Sequence, residues 1–346
     1  MSNTFLQLHF LTPYAPSNLN RDDLGRPKTA LFGGSQRLRV SSQSLKRAWR
    51  TSAAFEAALE DHIGTRTKRF GDLVLPILSK GLDEKKAKKL ASQLAEQFGA
   101  VKDAGLRTEQ LAHITPEEKK HLETLAAKLA AEDGREPTEA ELASLVGHAK
   151  GAADISLFGR MLAAKTQFNV EAACQVAHAI SIHKVAIEDD YFTAVDDLKT
   201  AAEDAGAAHV GTQEFASAVL YHYVCIDRGL LAENLGADEG LVEKTLRALG
   251  EACLTVSPSG KQASFAAHSR AHFALVEKGS SQPRSLASAF LKPVHGDDLL
   301  AAGIGALEST RATLDKIYDD RTPSLSFNAA EGTGSKKALL DFLAGA

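Results

Sequence analysis

The chain has 346 residues, 44% hydrophobic and 24% charged, a composition that excludes a disordered or low-complexity protein and allows one large core or two to three smaller ones. No apolar run reaches the roughly 18 residues of a membrane span, and Met1 to Leu11 lack the basic-then-apolar order of a secretory signal. Three widely spaced cysteines, Cys174, Cys225 and Cys253, form no Cys-x-x-Cys pair, so free thiols in a reducing cytoplasm are expected.

Phe5 to Leu11 alternates in part and predicts a short buried strand. Pro13, Pro16, Asn18, Asn20, Gly25, Pro27, Gly33 and Gly34 then punctuate the chain, predicting a long irregular connection up to about Gln36. Connections of that length are usually functional or disordered. Leu38 to Val40 reads as a brief strand, and a helix begins at Ser41 or Ser42, both good N-caps.

From about residue 60 to 150 the composition shifts to Ala, Leu, Lys and Glu. Thr115-Pro116-Glu117-Glu118 and Thr138-Glu139-Ala140-Glu141 each spell a capping box, the first with proline at the first helical position. This predicts a helical subdomain inserted into the rest. Alternation returns at Val176, His178, Ile180 and Ile182, one face of a candidate strand, and along Phe215 to Ile226. Gln262 to Ala266 and His272 to Val276 are the last strand candidates. Strands on both sides of a helical insertion predict an α+β core that closes late in the sequence.

The formal net charge of −4 conceals two opposed segments. Arg21, Arg26, Lys28, Arg37, Arg39, Lys46, Arg47 and Arg50 face only Asp22 and Asp23, so 8 − 2 gives +6. Between Glu188 and Asp204 seven acidic residues face Lys199 alone, and 1 − 7 gives −6. In the helix after Ser41, Gln43, Lys46, Arg47 and Arg50 share one face, while Leu45, Ala48, Trp49 and Ser52 share the opposite one. The helix should bury the Leu45/Trp49 stripe and offer phosphate its cations together with its N-terminal amides. A solvated basic face is the plainer alternative. It is weakened because no acidic residue occurs from Leu24 to Phe55.

The run Leu19-Asn20-Arg21-Asp22-Asp23, then Lys28, Phe32-Gly33-Gly34 and Arg37-x-Arg39-Val40-Ser41-Ser42-Gln43-Ser44-Leu45-Lys46-Arg47-Ala48, closely resembles the CasC family. Those proteins are the CRISPR RNA-binding backbone subunits of the type I-E Cascade complex. Gly159-Arg160-Met161, Ala177-His178-Ala179-Ile180, Phe192 to Leu198 and Gly211 to Phe215 follow in the family's order. The resemblance covers about residues 1–60, 152–227 and parts of 250–292.

The resemblance implies an RRM-like (ferredoxin-like) palm with an inserted helical fingers subdomain and a β-hairpin thumb. On that basis the palm takes 1–60, 153–187 and, with the C-terminal tail, 215–346; the fingers take 61–152 and the thumb 188–214. It also implies a cytoplasmic subunit that stacks head to tail along CRISPR RNA, beside other Cascade subunits, and meets target DNA through the guide. The family's RNA contacts carry over to Arg21, Lys28, Ser41, Gln43, Lys46 and Arg47, with Arg50 at a matching cationic position. Thumb residues carry over to Phe192 and Thr193, with Tyr191 where many relatives have Trp. Met161 matches a residue that wedges against RNA bases; without the resemblance it reads as a core methionine. An acidic thumb meeting a basic neighbour would suit an interface that propagates without closing.

No His-x-x-x-His pair with Glu, Cys/His cluster, Gly-x-Ser-x-Gly or full phosphate loop occurs, so a non-enzyme without metal or cofactor is expected. His178 and His183, five apart, are expected to be structural. Two alternatives are RNA cleavage by Asp22 or Asp23 and general single-strand binding. Against the first, an acidic pair in a basic loop more often forms an Asx turn. Against the second, only Phe32 and Trp49 interleave the basic residues as stacking platforms.

Overall fold

The computed structural model describes residues 4–102, 105–147, 150–163, 165–194 and 209–345. The first elements are β1 (Phe5–Ser17), β2 (Thr29–Phe32), β3 (Ser35–Val40), α1 (Ser42–Arg50) and α2 (Ala53–Ala58). Then come β4 (Thr65–Thr67), α3 (Phe70–Leu78), α4 (Glu84–Ala95), β5 (Ala112–Ile114), α5 (Pro116–Ala131), α6 (Glu139–Ala143) and α7 (Ala153–Phe158). Next are β6 (Cys174–Val176), β7 (Ala179–Ser181), β8 (Glu188–Ala194), β9 (His209–Asp227), α8 (Arg228–Asn234) and α9 (Glu239–Thr255). The chain ends with α10 (Gln262–Phe265), β10 (Phe273–Gly279), α11 (Leu299–Ile317), β11 (Ser324–Asn328) and α12 (Lys336–Ala344). No helix among the described residues is long and apolar enough to cross a membrane.

Two compact units result, and the fold is a mixed α+β one with a large antiparallel sheet. The first unit comprises Met1–Phe55, Val176–Cys225 and Leu249–Ala346. Its sheet runs β11-β10-β1-β9-β7-β3-β2, with β8 paired on β9. β1 and β10 are antiparallel from Phe5↔Gly279 to Leu11↔Phe273. Leu11, Ile182, Val219, Tyr221, Phe273, Leu275, Phe290 and Leu307 form a buried apolar cluster there.

That unit also buries a charge. Glu277 on β10 is fully buried, 2.8 Å from Arg311 Nε, 3.3 Å from Arg284 Nη2 and 3.2 Å from His9 Nε2. Burial alone would raise its pKa, but the bonds to His9 and Arg311 and the charge of Arg284 hold it down at about 2. Burial lowers the pKa of His9, whose Nδ1 lies 2.9 Å from the Tyr221 hydroxyl.

Three local expectations are corrected. β1 runs on to Ser17 through Pro13 and Pro16, and Thr29–Phe32 is a strand, so the irregular connection shrinks. Proline costs a strand one donor without ending it. Gly33 and Gly34, at φ 58° and 73°, turn β2 into β3 as a two-residue hairpin. A Cβ on Gly33 would sit 1.6 Å from the Leu291 carbonyl oxygen, so no larger residue fits without backbone movement. Val176 to Ile182 is not one strand: it breaks at Ala177-His178, and Ala179 and Ser181 are the buried residues of β7. Gln262 to Ala266 is a short helix, not a strand, with left-handed Lys261 and Ala266 at its ends. The Gln262 amide fixes that turn by donating to the Pro258 and Ala267 carbonyls.

The second unit comprises Glu56–Gln175 and Ile226–Ala248. Phe70, Val74, Leu78, Leu90, Leu94, Leu122, Ala126 and Leu129 make its core from α3, α4 and α5. Beside these helices, β4 and β5 form a two-stranded sheet. Both capping boxes form, at Thr115 and Thr138. Glu118 does double duty: it completes the first box and pairs at 2.6 Å with Arg160, both side chains fully buried.

Candidate nucleic-acid interface

The basic segment is organised by two asparagines. The side chain of Asn18 donates to the carbonyls of Gly25 and Glu214, at 3.0 and 2.9 Å, and so holds the loop after β1 against β9. The oxygen of the Asn20 side chain accepts the Ser41 N–H at 2.9 Å, and its backbone carbonyl accepts the Lys28 N–H at 2.8 Å. One residue thus ties both the loop and the segment before β2 to the start of α1. Asp22 Oδ1 accepts the N–H groups of Leu24 and Arg26, both at 2.9 Å, folding the tip into an Asx-type turn. Arg21 bridges Pro27 across this loop and points an exposed side chain outward. An open cleft of about 490 Å³ lies between Asn20 to Asp23, Ser44 on α1 and Ser259-Gly260.

α1 folds as its periodicity dictates. Ser41 caps it by accepting the Ser44 N–H at 3.3 Å, so this side chain is committed to the helix. Leu45 and Trp49 are 2% and 1% exposed, while Gln43 and Arg47 are exposed and Lys46 and Arg50 half-buried. No acidic residue enters the first turn, and Arg47 and Arg50 stand in the last, where they also favour the helix dipole. The hydroxyl cap takes one amide, and the free start of the helix remains a donor cluster beside Arg21 and Lys28.

The other three basic residues divide. Arg37 is fully buried, donating to the carbonyls of Ser181 and Phe290 at 3.0 and 2.8 Å, with its guanidinium 5.8 Å from the Phe32 ring centroid. Burial lowers its pKa. It belongs to the core and leaves the surface charge of the segment, a correction to the +6 sum. Arg26 lies 3.4 Å from Glu214. Arg39 Nη1 donates to His178 Nδ1 at 2.9 Å, which places the exposed His178 beside the basic face. His183 is structural, its Nε2 accepting the Val219 N–H at 3.2 Å.

The remaining site residues lie elsewhere. β8 pairs with β9 from Glu188↔Phe215 to Ala194↔His209, and none of its seven residues is buried. Tyr191 is 67% exposed; Phe192 covers Gly211, where a Cβ would lie 2.4 Å from its ring. Thr193 is exposed opposite Val210. Asp196, Asp197, Glu203 and Asp204 of the acidic segment lie outside the described residues. Met161 belongs to the second unit and is 76% exposed, which overturns the core-methionine alternative. Leu111 shares with it the lining of a shallow cleft of about 250 Å³.

The sequence model of the CT1975-like protein family matches residues 6–341. The chain belongs to that family. Among curated proteins none matches it significantly. One solved chain, from a structure described as a CRISPR RNA-guided surveillance complex, pre-nicking, is 28% identical with a TM-score of 0.83. That match covers 98% of this chain and 99% of the other. A second, from a CRISPR RNA-guided surveillance complex, is 25% identical with a TM-score of 0.64 and covers 98% of each.

In this CT1975-like protein, then, one loop and one helix bring Arg21, Lys28, Ser41, Gln43, Lys46, Arg47 and Arg50 together in the first unit. Asn18, Asn20 and His178 were not among the residues expected to touch RNA, and Arg39 counted only toward the charge of the basic segment. Such a surface can neutralise a run of phosphates by charge and hydrogen bonding without reading bases. Among the described residues no three His, Cys, Asp or Glu side chains gather to hold a metal ion.

Proposed function

We propose that this protein is a non-catalytic CRISPR RNA-binding backbone subunit of a type I-E Cascade complex. In this reading the sheet unit is an RRM-like palm and the helical insertion the fingers. The β8/β9 ribbon and the acidic stretch beyond it are the thumb. Copies stack head to tail along the guide in the cytoplasm, with other Cascade subunits at the ends, and target DNA is met through the guide.

The observation that carries the reading is the Asn20-tied assembly of loop and α1, a cationic face with no carboxylate of its own helix. The absence of any buried residue from β8 supports a thumb that finds its cover on another copy, since isolated two-stranded ribbons are marginal. The role of the Asp22 carboxylate in bonding its own loop amides supports a non-catalytic loop.

Purification with and without its operon partners tests this. The expected product with partners and guide is a large particle rich in RNA, and a monomer free of RNA in both preparations contradicts it. Matched labelled RNA incubated with the particle and a divalent metal should stay intact. Cleavage that disappears in Asp22→Asn or Asp23→Asn protein would establish a nuclease instead.

A further inference from the structure

Arg39 and His178 are 139 residues apart in sequence and meet where β3 and β7 pair, at Arg39↔Ile180 and Val40↔Ala179. A guanidinium has donors only, so the 2.9 Å contact makes His178 Nδ1 the acceptor and places the ring proton on Nε2. The imidazole is therefore neutral in this arrangement. Lys28 stands on the same row, since the Arg39 N–H donates to the Lys28 carbonyl at 2.8 Å. Lys28 and Arg39 have no carboxylate partner among the described residues, and every side-chain charge acting on His178 is one of these two cations. Two cations and a neutral imidazole thus share an exposed or half-exposed spot with no carboxylate partner among the described residues. β3 ends one residue before the Ser41 cap, so this spot continues directly into the α1 face.

We propose that Lys28, Arg39 and His178 form one phosphodiester-binding site in which His178 is a positioning residue that takes up a proton as the phosphate arrives. The proposal rests on the RNA-binding reading above and adds two side chains and a proton to it. Without phosphate, His178 holds Arg39 in place through Nδ1. When a phosphate oxygen enters, Arg39 turns its donors to that oxygen and Nδ1 is released. The phosphate charge offsets the repulsion from Lys28 and Arg39, a proton from solvent binds Nδ1, and the imidazolium donates to the same phosphate. In the free protein, burial together with the charges of Arg39 and Lys28 lowers the His178 pKa, which leaves room for this uptake near neutrality.

The experiment is fluorescence anisotropy of full-length protein with a labelled oligouridylate, at constant salt between about pH 6 and pH 8. Wild type should bind roughly fivefold more tightly at the acid end, as one histidine gaining a proton allows. In His178→Gln the amide oxygen still accepts from Arg39 but cannot titrate. Its affinity should no longer rise between pH 8 and pH 6, whatever its value at pH 8. Arg39→Ala should bind more weakly and lose about 0.7 from the log–log salt slope. If His178→Gln keeps the wild-type pH profile, or Arg39→Ala keeps the wild-type slope, the site is wrong while the RNA-binding reading stands. If wild type binds no RNA at any pH, that reading fails and this site falls with it.

Discussion

The helical second unit and the segment from Arg21 to Arg50 are both rich in cations, yet they use them in opposite ways. In the second unit Lys88 lies 2.6 Å from Glu84, Lys89 2.5 Å from Glu136, Lys128 2.8 Å from Glu141 and Arg135 2.6 Å from Glu141. Arg160, inside, is matched by Glu118. Between Arg21 and Arg50, Arg26 lies 3.4 Å from Glu214, while Arg21, Lys28, Arg39 and Arg47 have no carboxylate partner among the described residues. Charge count alone would rank the two regions as equals. The placement of the acids separates them: one region is neutralised from within, and Arg21, Lys28, Arg39 and Arg47 of the other are left for an anion from outside.

Removing a carboxylate from each kind of place sharpens that contrast. The largest expected effect is Glu118→Gln, which strands the buried Arg160 and breaks a helix cap. Urea unfolding should show a loss of about 3–5 kcal/mol. A change below about 1 kcal/mol would mean that the pair is not buried as described.

Next comes Glu277. Its folded pKa, about 2, lies below that of the unfolded chain, so its stabilisation is complete above the unfolded value of 4.5 and is lost as pH falls toward 2. Stability measured between pH 5 and pH 3 should fall with acidity in wild type, by an amount on the order of 2 kcal/mol. Glu277→Gln should be less stable at neutral pH and show a shallower acid slope. An identical slope in both proteins would assign the acid loss to other groups.

Exposed pairs should matter least. Glu136→Gln, which releases Lys89, should change stability by less than about 1 kcal/mol. Lys46→Ala with Arg47→Ala should likewise stay within about 1 kcal/mol. A large loss in the double variant would make that face structural and erase the distinction between the two regions.

What the sequence revealed follows the range of the signal. α1, its Ser41 cap, the buried Leu45/Trp49 stripe and both capping boxes depend on residues within one or two turns, and all were legible. The Gly33-Gly34 turn has a local signal as well, two glycines between short apolar runs, but β2 is only four residues long, too short for alternation to set it apart from a loop. The break at His178 and the burial of Arg37 had no local signal. Each is decided by a strand far away in sequence: Ser181 and Phe290 carbonyls claim Arg37, and Arg39 turns His178 outward. The helix at Gln262 is set by a four-residue turn against Pro258 and Ala267, too short for periodicity to register.

The central claim is that the loop-and-helix cations grip phosphates, and the salt dependence of RNA affinity tests it most directly. Four or five phosphate contacts give a log–log slope of about −3 for single-stranded RNA. Lys46→Ala with Arg47→Ala should flatten the slope by about 1.4 and weaken all guide sequences alike. An unchanged slope accompanied by an altered sequence preference would contradict the account, because it would make these side chains readers of bases.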